Sequence, residues 1–168
     1  MNILVLSDSH GHPEKIRDAV KKQINKPDAV IFLGDGLRDI DEDTLGVPVY
    51  SVCGNCDAYS LFMPSDEPEE RILELGGKRI MMTHGHRYSV KSGLGRIIAV
   101  AAMREVDLLL FGHTHEKLEL YFPAGACEYG IELKRPLYVM NPGSIGEYQS
   151  SFGCIMIDGN GSVLLSHG

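Results

Sequence analysis

Residues 107–115 read DLLLFGHTH, a short apolar run that stops at a glycine and two histidines. The segments NILVLSDSHG (2–11), DAVIFLGDG (28–36), VPVYSVCGNCD (47–57) and RIMMTHGH (79–86) follow the same design. Aliphatic runs of this length, stopped by Gly, Asp, Asn or His, are typical of buried strands. The sequence therefore predicts five such strands, each with polar residues directly after it.

Helical patterns alternate with the strands in the first part of the chain. The predicted helices span residues 13–24, 39–45 and 94–104. The first of them opens with Pro13, as first turns often do, and places Ile16, Val20 and Ile24 on one face. Strand–helix–strand alternation indicates βαβ units around a mostly parallel sheet.

The rest of the chain is rich in strand patterns. Gly76 and Gly77 separate two apolar runs and predict a hairpin. Further predicted strands span residues 117–122, 136–140, 153–157 and 163–166. Predicted core methionines are Met81, Met82, Met103 and Met140. The pattern favours an α/β protein of two sheets packed face to face with helices outside, in one domain over residues 1–168.

Composition and charge narrow the function. The chain is 43% hydrophobic, and no apolar run reaches the length of a membrane span. The start MNILVLSD lacks the basic region of a signal peptide, so we expect a cytoplasmic protein that does not act in a membrane. The net charge of −7 argues against an extensive nucleic-acid surface. An anionic substrate would therefore need local positive charge, which a metal ion can supply.

Polar side chains follow each of the five strands. They are Asp8, His10, Asp35, Asn55, His84, His113 and His115. Ligands of α/β sheets bind at the carboxyl ends of strands, so we expect these side chains to converge. Seven ligands suit two ions that share a carboxylate, and imidazole with carboxylate suits Mn, Fe, Zn, Co or Ni. Two ions about 3.5–4 Å apart are suited to displacement at phosphorus.

The motifs DSH, GD, GN, HGH and GHTH, in this order, resemble those of the calcineurin-like metallophosphoesterase superfamily, in particular its small single-domain phosphodiesterase branch. The similarity runs from Asp8 to the NPGS stretch at residues 141–144. It implies a four-layer α/β/β/α sandwich of two mixed sheets flanked by helices. It also implies hydrolysis of phosphodiester bonds by a hydroxide that bridges two divalent metal ions.

The resemblance also implies a set of ligands and catalytic residues. One ion would be held by Asp8, His10, Asp35 and His115, and the other by Asp35, Asn55, His84 and His113. The predicted catalytic residues are Asp35, Asn55, His84 and His86. Mn²⁺ is the favoured ion. Asp57 is open to two interpretations, orientation of a ligand or a simple turn.

Cys56 departs from the superfamily pattern. Many members have GNH where this chain has GNC, and that histidine is thought to protonate the leaving group. A thiol is a poor acid at neutral pH, so we expect a small diester as substrate rather than an alkyl monoester. His86 is the substitute acid that the sequence offers.

Two other functions compete with hydrolysis. A metal-binding scaffold resembling the small retromer subunit would share the fold, but that subunit carries Asn where this chain keeps Asp35. A thiol oxidoreductase would use Cys53 and Cys56, yet no convincing amphipathic helix follows them before Pro64 and Pro68. We therefore favour the enzyme, with a possible homodimer as its assembly.

Overall fold

Each of the five apolar segments forms a strand in the computed structural model, which describes residues 1–58 and 66–168. In chain order the described strands are β1 (Asn2–Leu6), β2 (Ala29–Phe32), β3 (Val49–Ser51), β4 (Glu70–Leu75), β5 (Lys78–Thr83), β6 (Leu108–Phe111), β7 (Lys117–Phe122), β8 (Cys127–Glu128), β9 (Ile131–Glu132), β10 (Leu137–Pro142), β11 (Gly153–Ile157) and β12 (Val163–His167). The described helices are α1 (Pro13–Lys21), α2 (Glu42–Leu45), α3 (Asn55–Ala58) and α4 (Gly95–Met103), with 3₁₀ turns at Leu37–Asp39, His86–Tyr88 and Val90–Ser92.

The strands form two mixed sheets. The first has the order β12-β11-β1-β2-β3, in which β1, β2 and β3 are parallel and β11 pairs antiparallel with both β1 and β12. The second has the order β4-β5-β6-β10-β7, with a parallel centre of β5, β6 and β10. The predicted hairpin is confirmed, since β4 and β5 pair antiparallel across Gly76 and Gly77. Sequence reasoning missed the small hairpin of β8 and β9.

Alternation along the strands builds a core on both faces of each sheet. In β1, Ile3 and Val5 face the second sheet, while Leu4 and Leu6 face the other way. Because the side-chain period of a strand is two, an uninterrupted apolar run indicates a strand that is buried on both faces. Each such aliphatic side chain contributes about 1.5–3 kcal/mol when it is fully buried.

The helices complete a four-layer sandwich. On the outer face of the first sheet, Ile16 and Ala19 of α1 join the cluster that contains Leu4 and Phe32. On the outer face of the second sheet, α4 packs its buried residues against Leu109 and Phe111. The α/β/β/α architecture predicted from the sequence is therefore confirmed. Within the described residues, no helix is long and apolar enough to cross a membrane.

Two apolar residues do not lie where their helical spacing predicts. The helix expected over residues 13–24 ends at Lys21, and Ile24 is fully exposed. The chain must turn there to begin β2, and Pro27 disfavours further helix before it. Met103 was predicted to be core, but it is the last residue of α4 and is 66% exposed. Periodicity does not show where a helix stops.

The short helix expected over residues 39–45 is smaller than predicted. The structure has a 3₁₀ turn at Leu37–Asp39 and then α2. The side chain of Asp41 accepts a hydrogen bond from Thr44 N at 3.3 Å and caps α2, and Gly46 ends it with a φ of 64°. Capping therefore fixes both ends of this element.

Candidate metal centre

The ends of β1, β2, β3, β5 and β6 bring all seven predicted ligands into one pocket. On one side of it, three of them surround a nitrogen of a fourth, His84 Nε2. Asn55 Oδ1 and His113 Nδ1 each lie 3.1 Å from this nitrogen, and Asp35 Oδ2 lies 3.3 Å from it. These contacts join residues of both sheets, so the pocket lies where the two sheets meet.

Asp8, His10 and His115 form the other side of the pocket. His115 Nε2 lies 3.2 Å from Asp8 Oδ1 and 3.4 Å from His10 Nε2. His10 Nε2 is 3.7 Å from the same carboxylate oxygen. Asp8 Oδ1 is also 3.9 Å from His84 Nε2, so the two sides are continuous.

Hydrogen bonds behind the rings turn unprotonated nitrogens into the pocket. His84 Nδ1 donates to Leu33 O at 2.7 Å, which leaves a lone pair on Nε2 of the neutral ring. Asn55 Nδ2 donates to Cys56 Sγ at 3.3 Å, which turns its oxygen toward His84. Hydrogen-bond acceptor atoms therefore face one another in the pocket. Such an arrangement is stable only when a cation or a proton lies between them.

The carboxylate of Asp8 also favours a nearby cation. Its Oδ2 accepts hydrogen bonds from Ser7 Oγ at 2.5 Å and from His113 N at 3.1 Å. Its Oδ1 is buried, and no hydrogen bond from the described residues reaches it. A buried carboxylate oxygen without a donor is costly unless a cation lies beside it. The donor set therefore fits a metal ion.

The ionisation of the pocket agrees with this fit. Burial lowers the pKa of His84, but the carboxylates of Asp35 and Asp8 outweigh burial and raise it overall. Burial raises the pKa of Asp35, but the hydrogen bond and charge of His84 together with hydrogen bonds from Cys56 lower it overall. Burial and the neighbouring His84 lower the pKa of His113 to about 4, so His113 is neutral at pH 7. The carboxylates of Asp8 and Asp35 favour a positive charge in the pocket. A metal ion would supply that charge in place of a proton on His84.

Three groups of side chains in the described residues have the spacing of a metal site. They are Asp8, His10 and His115; His10, Asp35 and Cys56; and Asp35, His84 and His113. In each group the candidate ligand atoms lie within 4.8 Å of one another. Asp35 belongs to groups on both sides of the pocket, as a bridging residue would.

The backbone at the pocket is strained. Among the described residues, eight that are not glycine have positive φ, and five of them are Asp8, His10, Asp35, His113 and His115. Such backbone conformations cost about 1–3 kcal/mol each and cluster at functional sites. Glycines permit the close packing around them, since a Cβ on Gly54 would lie 2.1 Å from Asp35 Oδ1.

Asp57 holds two of the ligand loops together. Its carboxylate accepts hydrogen bonds from Asp35 N at 2.7 Å, Gly36 N at 2.9 Å, Leu37 N at 3.0 Å and Gly54 N at 2.9 Å. The sequence left two interpretations of Asp57 open, and these contacts favour orientation of the ligand loops.

Glu147 was missed by sequence reasoning. Its Oε1 lies 3.0 Å from His115 Nδ1, and the Lys15 ammonium holds the backbone at Gly146 O and Glu147 O. A carboxylate behind a ligand histidine fixes the tautomer and strengthens the ring as a ligand. Glu147 lies 32 residues after His115 in the sequence, and no local motif connects the two. The sequence therefore held no pattern that would have identified it.

We expect Glu147→Ala to weaken metal binding about 10- to 100-fold, the usual effect of losing such a partner. Titration of the metal-free protein with Mn²⁺ against a competing chelator measures this. Glu116→Ala is the matched control, because it removes an exposed carboxylate next to His115 that does not contact the ring. Equal affinities in the two variants would contradict the role of Glu147.

His86 lies beside the pocket. Its ring centroid is 5.5 Å from that of His84 and 6.2 Å from that of His113, and its Nε2 lies 3.8 Å from Glu69 Oε1. Burial and the neighbouring His84 lower its pKa. His86 is therefore in reach of the pocket, but it belongs to none of the three metal groups among the described residues.

The two cysteines of the CGNC stretch are free thiols in different surroundings. Cys53 is buried and Cys56 is exposed, and the pKa of each is raised to about 11 by burial and by nearby carboxylates. Thiols of this kind are not the reactive thiolates of an oxidoreductase. The four-residue helix α3 begins at Asn55 and contains Cys56. The expectation that no amphipathic helix follows the two cysteines stays a prediction, because residues 59–65, Pro64 among them, lie outside the described residues.

Comparison with known proteins gives the family. The calcineurin-like phosphoesterase superfamily domain matches residues 1–160. A probable metallophosphoesterase of Bacillus subtilis, YsnB, is 32% identical over 145 residues, which cover 86% of this chain and 75% of YsnB. The phosphodiesterase MJ0936 of Methanocaldococcus jannaschii is 30% identical over 136 residues, covering 70% of this chain and 75% of MJ0936.

Solved structures show the same fold. A predicted phosphoesterase from Streptococcus pneumoniae is similar with a TM-score of 0.70 and 28% identity, over 94% of this chain and 83% of that one. The zinc complex of Vps29 from Entamoeba histolytica has a TM-score of 0.69 at 23% identity, over 100% and 98% of the two chains, and shows the fold alone. The chain belongs to the calcineurin-like phosphoesterase superfamily.

Proposed function

We propose that this protein is a phosphodiesterase that works with two divalent metal ions. The observation that carries the proposal is the convergence of seven ligand side chains, whose acceptor atoms cluster around His84 Nε2 and beside the buried Asp8 Oδ1, which accepts no hydrogen bond from the described residues. Asp8, His10, Asp35 and His115 would hold one ion, and Asp35, Asn55, His84 and His113 the other. When bound, such ions activate water and neutralise the charge of phosphate oxygens.

The protein supplies a rigid, charge-balanced cradle. Asp35 is suited to lie between the ions, because its Oδ2 faces His84 while its Oδ1 is fixed by Cys56 N at 2.7 Å. Asn55 contributes a neutral oxygen, so the two carboxylates do not cancel the charge that attracts phosphate. Leu33 O and Glu147 hold His84 and His115 in the tautomers that point Nε2 inward.

The surroundings of Cys56 favour diesters with good leaving groups. Its thiol is exposed at the pocket, close to His10 and Asp35, and has a pKa of about 11. A group of this pKa gives up a proton poorly at pH 7, so a leaving group must depart as an anion. Aryl and other stabilised leaving groups meet that condition.

We expect Cys56→His to raise turnover of poor leaving groups, because an imidazole can protonate them. The gain should be about tenfold or more for glycerol 2-phosphate, whose alkoxide leaves poorly, within the range of general acid catalysis, and smaller for p-nitrophenyl phosphate. Initial rates at saturating metal measure both. Cys56→Ser, which offers no acid, is the control and should show no gain; an equal gain for the two esters would contradict the role.

The direct test of the function is a comparison of matched substrates. The purified protein is stripped with a chelator, reloaded with Mn²⁺, Fe²⁺, Zn²⁺, Co²⁺ or Ni²⁺, and assayed with bis(p-nitrophenyl) phosphate and p-nitrophenyl phosphate. Metal-dependent hydrolysis that is faster for the diester supports the proposal. Bound metal without hydrolysis of any phosphoester in a broad screen would instead favour a scaffold of the same fold.

Further parts of the proposal concern the setting of the enzyme. We infer that Mn²⁺ is its ion, that a small phosphodiester is its substrate, and that it acts in the cytoplasm, with a homodimer as the candidate assembly. Imidazole and carboxylate ligands are suited to Mn²⁺, and also to Fe²⁺, Zn²⁺, Co²⁺ and Ni²⁺.

A further inference from the structure

We propose that the segment 146–151 forms a second binding site beside the metal pocket, which takes an aromatic ester group of the substrate. Tyr148 is its stacking surface, and Lys117 attracts a negative charge on the same group. This inference rests on the proposed function, because it concerns the part of a diester that is not cleaved.

The site is an open cavity that adjoins a predicted ligand. It has a volume of about 510 Å³ and is lined by His115, Lys117, Glu147, Tyr148 and Ser150, among others. Volumes of about 300–1,000 Å³ are typical of sites for small organic ligands. A nitrophenyl group or a nucleobase therefore fits beside a phosphate that is held at His115.

A second cavity of about 310 Å³ is lined by His10, Asp35 and Cys56, among others. The His10 ring lines this cavity and the His115 ring lines the first, and the two ring centroids are 5.2 Å apart. A diester whose phosphate lies at the metal ions that His10 and His115 would help to hold can place one ester group in each cavity. The group beside Cys56, where superfamily members carry the acid, is the leaving group, so the group beside Tyr148 is the one retained.

Tyr148 is presented on an anchored backbone. Its side chain is 99% exposed. The segment is held from below, since Lys15 Nζ donates to Gly146 O at 2.8 Å and to Glu147 O at 2.7 Å, and Gly146 N donates to Asp8 O at 3.0 Å. Because the backbone is already held, stacking would immobilise only the side-chain torsions of the ring, which limits the entropy cost of binding.

Other exposed tyrosines in the described residues have partners. Tyr121 packs on Tyr138 with ring centroids 4.9 Å apart, and Tyr129 lies over Gly95. No ring contact is found for Tyr148 within the same residues. Its apolar surface is therefore available to a ligand.

Lys117 contributes positive charge to the cavity, whose lining carboxylate, Glu147, faces His115 Nδ1 at 3.0 Å. No ion pair within 4.0 Å is found for the Lys117 ammonium in the described part of the chain. Its stem packs on the turn at Gly143, where a Cβ would lie 3.2 Å from Lys117 Cγ. An unpaired ammonium beside an exposed ring favours a group that combines an aromatic ring with a negative charge, as a nucleotide does.

The first test keeps the leaving group constant and changes the retained group. Bis(p-nitrophenyl) phosphate and methyl p-nitrophenyl phosphate release the same phenolate, but only the first retains an aryl group. Tyr148→Ala should lower kcat/KM for the first about tenfold, the value of one aromatic stack, and leave the second within about twofold. Tyr148→Phe should keep the preference, and Tyr129→Ala is the control away from the cavity. Equal losses on both esters, or none, would overturn the inference.

The second test detects binding without turnover. The chain has no tryptophan, so Tyr148→Trp introduces a single fluorescent reporter at the site. Adenosine 5′-monophosphate added to the metal-loaded variant should quench this fluorescence, while the Tyr129→Trp control should not respond. Lys117→Gln in the Tyr148→Trp background should weaken binding of the monophosphate several-fold and leave that of adenosine unchanged.

The two tests separate the inference from the function it rests on. Normal hydrolysis without quenching or substrate preference at Tyr148 overturns the site and leaves the phosphodiesterase intact. Quenching without hydrolysis of either diester by the native protein supports the site and overturns the proposed function.

Discussion

The Asp35→Asn variant is expected to lose about a thousandfold or more in turnover, since Asp35 would hold both ions and a bound metal ion supplies several kcal/mol of transition-state charge stabilisation. Asparagine has the same shape and still accepts the hydrogen bond from Cys56 N. It lacks the negative charge that raises the pKa of His84, so the pocket attracts cations less strongly. Metal content should fall together with the rate.

The measurement is kcat for bis(p-nitrophenyl) phosphate, with bound metal determined by elemental analysis and folding checked by thermal unfolding. Asp18→Asn is the matched control, since it makes the same chemical change on the exposed face of α1. Full turnover of Asp35→Asn with metal supplied would contradict the assignment of Asp35 as the shared ligand.

The Asp57→Ala variant is expected to lose about 3 kcal/mol of unfolding free energy, because hydrogen bonds to a charged group are among the strongest in proteins. The substitution leaves four backbone N–H groups, those of Asp35, Gly36, Leu37 and Gly54, without their acceptor. Two of these residues, Asp35 and Gly54, are buried, so water replaces the carboxylate poorly.

Urea unfolding of the metal-free protein measures this loss, with the midpoint and the slope fitted together. Asp41→Ala is the comparison, because the Asp41 carboxylate accepts from one backbone N–H, that of Thr44, at an exposed helix start. It should lose about 1 kcal/mol, as helix caps do. An Asp57→Ala variant no less stable than Asp41→Ala would show that the clamp between the loops is unimportant.

Asp57 also stabilises the strained backbone conformation of Asp35. Asp35 has a φ of 57°, which a non-glycine residue adopts only when its surroundings hold it there. The carboxylate of Asp57 binds the N–H groups of Asp35 and of the next two residues, and so fixes this conformation. We therefore expect Asp57→Ala to weaken metal binding as well as folding.

Local pattern was sufficient for the strands and for the gathering of polar residues at their ends. Burial of Leu109 on one face of β6 and Leu110 on the other follows from a run with no polar interruption. The same reasoning misplaced Ile24 and Met103, because helical spacing continues in the sequence after the chain has left the helix or the packed face.

The sequence by itself determined the fold class, the family and which side chains converge, because strand burial and strand-end polarity are written in consecutive residues. Only the tertiary structure decided how those side chains are held. The contact of Asp57 with Asp35 spans 22 residues, that of Glu147 with His115 spans 32, and that of Asp8 with His113 N spans 105. Tautomers, unpaired oxygens and the exposed ring of Tyr148 depend on such distant contacts, which no local pattern encodes.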